Sequence, residues 1–401
     1  MKYVMVVGDG MADFPIEALG DRTPLQALTL DGFARVGAGE LGRLISCPEG
    51  LPPGSDVAFL TLFGNDAKAV YNGRSPLEAA GMGVDVLPGE VAFRLNLAAI
   101  TSEGYPNATM LSHNGGGIDG DEAYQLITDL MADAQFHALM DELHFRIEPT
   151  YTFRHVAVMP GNADGMEMTP PHDIVGQSIE GYLPQHAEGI LPLMQRSFEV
   201  LSVHPINIER ESQGLLPANT AWLWGAGSAY DLPNFEQTYG IKGSVISAVP
   251  LVKGIARLMG LHAPDVEGAT GLLDTDYEAK LAAAMDALKR GDDYVLVHIE
   301  APDEMSHDGD MESKLEAIRR VDARIVQPLL KELPQLGDFR LVLLPDHYTL
   351  LSTRTHDATP IPFAIYDSRT TEGMRAFTED ACQSIPALDA GDALMRQLFL
   401  A

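Results

Sequence analysis

Short apolar runs alternate with stretches whose apolar positions recur at helical spacing, most clearly at the two ends of the chain. Residues 4–10 (VMVVGDG), 294–300 (YVLVHIE) and 341–347 (LVLLPDH) are brief, rich in β-branched residues or leucine, and end on polar residues. Continuous apolar runs of that kind predict parallel strands buried on both faces. Between the last two lies a segment with helical spacing, residues 312–333 (ESKLEAIRRVDARIVQPLLKEL). Strand, helix, strand with polar strand ends predicts an open α/β sheet, and such sheets place their sites beyond the carboxyl ends of the strands. Asp9, His298, Asp303, Asp346 and His347 all fall at or just after such ends.

The middle of the chain has a different rhythm. From about 84 to 178 turn residues multiply, and helical and short-strand patterns mix without a βαβ alternation. The expectation is an α+β domain, 84–178, inserted into a core made of 1–83 and 179–401. Residues 72–84 and 173–184 serve as entry and exit, and a helix near 190 resumes the core.

Composition narrows the class. With 46% hydrophobic residues in 401 the chain can bury a large core. No apolar run is long enough to cross a membrane, and no basic-then-apolar leader opens the sequence. Cys47 and Cys382 are too few for a disulfide framework, so a cytoplasmic location is expected. The formal charge is −30, from 27 basic and 57 acidic residues. That argues against nucleic-acid and anionic-membrane partners, which need a basic footprint. An enzyme of this charge that handles phosphate esters needs local cations, and bound divalent metals would supply them.

The candidate chemistry lies at the strand ends. Asp303 and His307 are spaced to share one face of a helix and grip one ion. Asp346 and His347 are adjacent after a strand, so their side chains diverge and can serve two ions, with His356 close behind in sequence. Carboxylates with imidazoles suit Zn²⁺ or Mn²⁺ better than Ca²⁺. Asp9 stands between two glycines that allow close approach to the backbone. Ser55 follows Pro52, Pro53 and Gly54 at the start of an apolar helix. It is open to two readings: an N-cap, or a nucleophile beside the amide groups of a helix N-terminus.

Together these residues resemble a known family. Asp9, the Gly54-Ser55-Asp56 segment, Asp303 with His307, Asp346-His347 and His356 before ATPIP match the alkaline phosphatase superfamily. The likeness is closest to archaeal-type cofactor-independent phosphoglycerate mutases. It extends through LPPGSDVAFLTLFG, YNGRSPLEAAGMGV, HPINIER, LLPANTAWLWGAG and YGIKGSVISAVPLVKGIARLMG. The resemblance implies an alkaline-phosphatase-like α/β core with the α+β insertion as a lid, two divalent ions (Mn²⁺ or Zn²⁺, with Mg²⁺ or Co²⁺ as further options), and Ser55 as the phosphorylated residue. It implies one ion on Asp303, His307 and His356, and the other on Asp9, Ser55, Asp346 and His347. Lys253, with Lys242 as second choice, would contact the phosphoryl group. The implied reaction interconverts 3- and 2-phosphoglycerate, a small phosphorylated hydroxy acid.

One departure bears on the substrate. Many archaeal mutases carry an arginine pair in an R-x-A-G-R segment of the insertion, and here that stretch reads SHNGGGIDGDEA (112–123). His113 and Asn114 would take over part of that chemistry, leaving Arg154 and then Arg94 for the substrate carboxylate. The competing reading is another metal-dependent phosphoryl transfer on the same core, a phosphatase or a homoserine kinase.

Overall fold

A computed structural model describes residues 1–400, with the side chain of Leu400 left out. The strands, in chain order, are β1 (Lys2–Gly8), β2 (Glu40–Leu44), β3 (Glu90–Ile100), β4 (Met110–Ser112), β5 (Arg146–Glu148), β6 (Arg154–Pro160), β7 (Thr220–Ser228), β8 (Gly243–Ile246), β9 (Tyr294–Ile299), β10 (Phe339–Leu344), β11 (Tyr348–Leu350), β12 (Thr355–Asp357), β13 (Ile361–Asp367) and β14 (Ala387–Leu388). The chain folds as two compact units, 1–71 with 231–401, and 72–230.

The first unit is built on a seven-stranded sheet in the order β14-β2-β13-β10-β1-β9-β8. The three apolar runs picked out from the sequence are its centre. β1 lies parallel between β10 and β9, with Val4 opposite Leu341 on one side and Val295 on the other. Every residue of β9 and β10 is buried, as expected for strands covered on both faces. β13 and β2 add an antiparallel edge. One face packs Val4, Val6, Val297 and Leu343 against Ala284 and Leu288 of the helix Tyr277–Arg290 and Ile318, Val321, Ile325 and Leu329 of a second helical segment, 311–332.

That second segment is not one regular helix. Met311–Arg320 is α-helical, Val321–Val326 widens into a π turn, and Gln327–Glu332 resumes the α form. The π turn precedes Pro328, which has no N–H to give to a regular ladder. Asp322 sits in it and accepts from Phe33 N at 2.7 Å and from Gln327 Nε2 at 2.7 Å.

The second unit is a five-stranded antiparallel sheet in which β3 pairs with β6, β7 and, at its end, β4, while β5 lies beyond β6. Helices Gly120–Ala132, Ala134–Leu143 and Ile190–Leu201 cover it. It extends further than the 84–178 expected from sequence. The helix near 190, read there as resuming the core, packs Ile190, Leu193, Met194 and Leu201 with Trp222 and Leu223 of β7. β7 in turn pairs with β3 along Val91–Ala98. The unit's two ends are joined: Asn72 N donates to Tyr230 Oη at 3.0 Å, and Ser228 N to Asn72 O at 3.1 Å. Among the described residues no helix is long and apolar enough to cross a membrane. Both cysteines are free and buried.

Candidate functional site

The first unit gathers all seven residues singled out as ligands. Asp9 follows β1, and the adjacent Gly10 has φ of +58°. A side chain on Gly10 would run into Thr349 Oγ1 and Asp303, so only glycine lets the backbone turn here. Gly10 N donates to Asp346 Oδ1 at 3.1 Å, and His347 N donates to the same oxygen at 2.9 Å. Asp303 and His307 lie on the helix Ala301–Asp308, and His356 on β12.

Hydrogen bonds define which ring nitrogens are bare. His307 Nδ1 donates to Arg354 O at 2.9 Å and His356 Nδ1 to Pro53 O at 3.2 Å. A carbonyl only accepts, so in the neutral rings both Nε2 atoms carry lone pairs, yet they face each other at 2.9 Å. They also face Asp303, at 3.3 Å from His307 and 3.5 Å from His356. Two lone pairs and a carboxylate at that separation require a cation between them. Where that cation is a proton, contact with Asp303 pushes the His307 imidazole up to about 9.

His347 follows the same logic through a residue the sequence reading passed over. Thr349 Oγ1 donates to Asp303 Oδ1 at 2.5 Å and accepts from His347 Nδ1 at 3.1 Å. His347 Nε2 is therefore bare, and it points at Asp346 Oδ2 (3.1 Å), Ser55 Oγ (3.2 Å) and Asp9 Oδ1 (3.7 Å). Burial holds this imidazole below its ordinary value, in the neutral form that binds metals.

Asp9 and Asp346 each have one oxygen held and one bare. Asp9 Oδ2 is bonded to His298 Nε2 at 2.8 Å, while Asp9 Oδ1 and Asp346 Oδ2 are buried with no hydrogen-bond partner. Burial, then the Asp346 and Asp303 charges, pushes the Asp9 carboxyl well above its usual range. Orphaned carboxylate oxygens beside bare imidazole nitrogens fit a divalent metal and are costly without one. Two overlapping ligand groups result: Asp303, His347 and His356, and Asp9, Asp346 and His347, with ligand atoms within 4.8 Å of one another in each. The division differs from the one implied by resemblance, because His347 belongs to both groups.

Ser55 opens the helix Ser55–Leu62 as its first helical residue, and the N-cap is Gly54. Its hydroxyl makes no capping bond; its partner is His347. Asp56 secures the turn, accepting from Tyr71 Oη at 2.7 Å and from Val57 N at 3.0 Å. The Pro53 carbonyl that orients His356 also ties the serine's loop to a ligand strand. Lys253 is buried on the helix Pro250–Leu258, and its ammonium meets Asp265. Lys242 is exposed, 3.8 Å from Glu236.

In the second unit several cations gather around Glu78. Arg94 Nε lies 2.8 Å from Glu78, and its guanidinium stacks over Trp224 at 4.3 Å. Arg74 binds the same carboxylate at 2.8 Å. Burial favours a protonated Glu78, but Arg94, Arg74 and Arg154 outweigh it and hold the carboxyl below its ordinary value. Arg154 is exposed, 5.0 Å from the Phe153 ring, and that ring packs against His113. His172 lies between His113 and Trp224. Arg74 and His172 thus join a cluster for which the sequence suggested only Arg94, His113 and Arg154. Asn114, expected to help replace the arginines, closes its own loop instead: its Oδ1 accepts from Gly117 N at 3.0 Å and from the Ser112 hydroxyl at 2.7 Å.

Comparison with known proteins places the chain in a family. The family model described as 2,3-bisphosphoglycerate-independent phosphoglycerate mutase matches residues 37–207. A protein of that name from Methanosarcina acetivorans is 43% identical over 392 residues, 96% of each chain. One from Methanosarcina mazei is 44% identical over 391 residues, again 96% of each. Among solved structures, a protein from Pyrococcus horikoshii aligns with a TM-score of 0.79 at 25% identity, covering 100% of this chain and 97% of that one. The cofactor-independent phosphoglycerate mutase of Thermoplasma acidophilum aligns with a TM-score of 0.64 at 25% identity, covering 100% and 99%. The chain belongs to the 2,3-bisphosphoglycerate-independent phosphoglycerate mutases, a family of isomerases with an alkaline-phosphatase-like fold.

Proposed function

We propose that this phosphoglycerate mutase moves the phosphoryl group between the 3- and 2-hydroxyls of glycerate by way of a phosphoserine at Ser55, in the cytoplasm. The observation that carries the reading is the position of Ser55 Oγ, 3.2 Å from His347 Nε2 and free of any capping bond. Two divalent ions, Mn²⁺ or Zn²⁺, on Asp9, Asp303, His307, Asp346, His347 and His356 would neutralise the phosphoryl oxygens and favour the Ser55 alkoxide.

In the forward direction the Ser55 hydroxyl gives up its proton and its Oγ attacks phosphorus, the bond from phosphorus to the 3-oxygen breaks, and that oxygen takes up a proton to leave glycerate. The 2-hydroxyl then gives up its proton and attacks the same phosphorus, the bond to Ser55 Oγ breaks, and Oγ takes up a proton to restore the serine. Amide groups at the start of the helix Ser55–Leu62 favour the negative charge that passes through. Lys253 is assigned to the phosphoryl oxygens. Its partner Asp265 is largely exposed, so the pair opens without leaving a carboxylate buried. The cations around Arg154 are assigned to the glycerate carboxylate, which makes retention of glycerate, and with it isomerisation rather than hydrolysis, depend on them. Assaying 2-phosphoglycerate and free phosphate together, with 3-phosphoglycerate and Mn²⁺, tests the reading. Isomerisation should dominate; phosphate release alone would make the chain a phosphatase.

A further inference from the structure

The oxygen of Asp9 that does not face the other ligands ends a buried line of polar and charged groups. His298 stands on β9 opposite Val7 of β1, in register to reach the residue that follows that strand. Its Nε2 is 2.8 Å from Asp9 Oδ2, and its Nδ1 is 2.9 Å from Ser247 Oγ and 3.1 Å from Glu300 Oε1. Glu300 Oε1 also accepts from Ala248 N at 3.0 Å, and Glu300 Oε2 from Lys280 Nζ at 2.5 Å. Lys280 Nζ donates a second bond to His298 O at 3.1 Å. The Phe59 ring packs edge-on against the imidazole at 4.7 Å and fixes its plane. The His298 and Lys280 side chains are fully buried.

Charged groups are costly to bury, and the line has a direction: every link fixes the next, and the last fixes Asp9. A carboxylate with two free oxygens can bind an ion through either or both. Once Oδ2 is engaged by His298, only Oδ1 remains, and Oδ1 is the orphaned atom facing His347 and Asp346.

We propose that His298, oriented by Glu300 and Lys280, is a positioning residue that holds Asp9 as a one-oxygen ligand and so sets the affinity of the ion shared by Asp9, Asp346 and His347. This rests on the two-metal reading above. A tie that only joined β9 to its neighbours would not distinguish one ion from the other; a positioning residue does, because the line's side chains bond Asp9 and not the side chains of Asp303, His307 or His356, and Asp303 meets the line only through its backbone, N donating to Glu300 O at 3.0 Å.

The test titrates the full-length, metal-stripped chain with Mn²⁺ alone and follows free Mn²⁺ by electron paramagnetic resonance. Wild type should take two ions. His298→Phe, which fills the space without an N–H, should weaken one ion about 10–100-fold, the usual effect of losing a partner behind a metal ligand, and leave the other unchanged. His298→Gln, which returns a donor, should recover part of the loss. Glu300→Gln should weaken the same ion, and it carries the test by the same criterion if His298→Phe does not fold. Two ions bound with wild-type affinity, or both weakened equally, would overturn the inference while leaving the metal reading standing. A wild type that takes no Mn²⁺ would overturn both.

Discussion

Ser55 Oγ lies 3.2 Å from His347 Nε2, although Ser55 stands where a serine would ordinarily cap its helix. Gly54 occupies the cap position, and the hydroxyl is bonded instead to an imidazole nitrogen that itself faces the two orphaned carboxylate oxygens. Ser55→Ala therefore removes no capping bond. It should change unfolding free energy by less than about 1 kcal/mol, as expected where no cap is lost. Mutase activity should fall at least about 10³-fold, the scale of losing a nucleophile. Urea unfolding and a coupled assay on one preparation check both. A large loss of stability would mean that the serine is structural after all.

The two histidines of the ligand set should differ in their effect on metal content. His347 belongs to both ligand groups, whereas among the candidate ligands His307 bonds only Asp303 and His356. Elemental analysis of His307→Ala should show loss of mainly one of two ions, and His347→Ala should show weakening of both. Full retention of two ions in both variants would refute the ligand assignment.

Much of this candidate centre was legible in the sequence because a metal site needs carboxylates and imidazoles, and Asp9, Asp303, His307, Asp346, His347 and His356 are such residues close behind the apolar runs of β1, β9 and β10. Thr349 was not legible. A threonine two residues after His347 looks like any strand threonine until the strand returns beside Asp303. Lys314 was hidden in the same way. Helical periodicity puts a lysine on a wet face, yet its ammonium is buried, bonded to Asp13 at 2.9 Å and to Thr349 O at 2.7 Å. The extent of the second unit was misjudged at the helix Ile190–Leu201 for a related reason. An apolar stripe shows that a helix buries one face, and says nothing about which sheet receives it.

Arg154 and Arg94 were grouped in sequence but have different surroundings. Arg94 is committed to Glu78 and Trp224, so Arg94→Ala should cost stability, about 1–3 kcal/mol by thermal or urea unfolding. Arg154 is exposed, and Arg154→Ala should leave stability nearly unchanged. It should instead raise the ratio of phosphate release to isomerisation, because loosely held glycerate gives water access to the phosphoserine. An unchanged ratio would remove Arg154 from substrate binding.

Glu379 supplies a pH dependence separate from the ligands. Burial pushes its carboxyl up to about 7 from an ordinary 4.5, although it accepts from Thr23 Oγ1 at 2.6 Å and from Asp13 N at 3.2 Å. The folded chain thus holds this proton more tightly than the unfolded one. The stability this contributes is complete below about pH 4.5 and lost as pH rises through about 7. Glu379→Gln, which keeps the neutral shape, should exceed wild type by about 3 kcal/mol above pH 7 and converge with it near pH 4.5. Urea unfolding of both proteins in chelator at the two pH values checks this; a pH-independent difference would contradict it.

The most direct test of the phosphoserine account is to quench the enzyme in acid during turnover of 3-phosphoglycerate with Mn²⁺ and map its phosphate by peptide mass spectrometry. Phosphoserine survives acid where phosphohistidine does not, so the modified residue is read unambiguously. The account predicts phosphate on Ser55 while 2-phosphoglycerate forms faster than free phosphate. Isomerisation with Ser55 unmodified, and retained in Ser55→Ala, would contradict it.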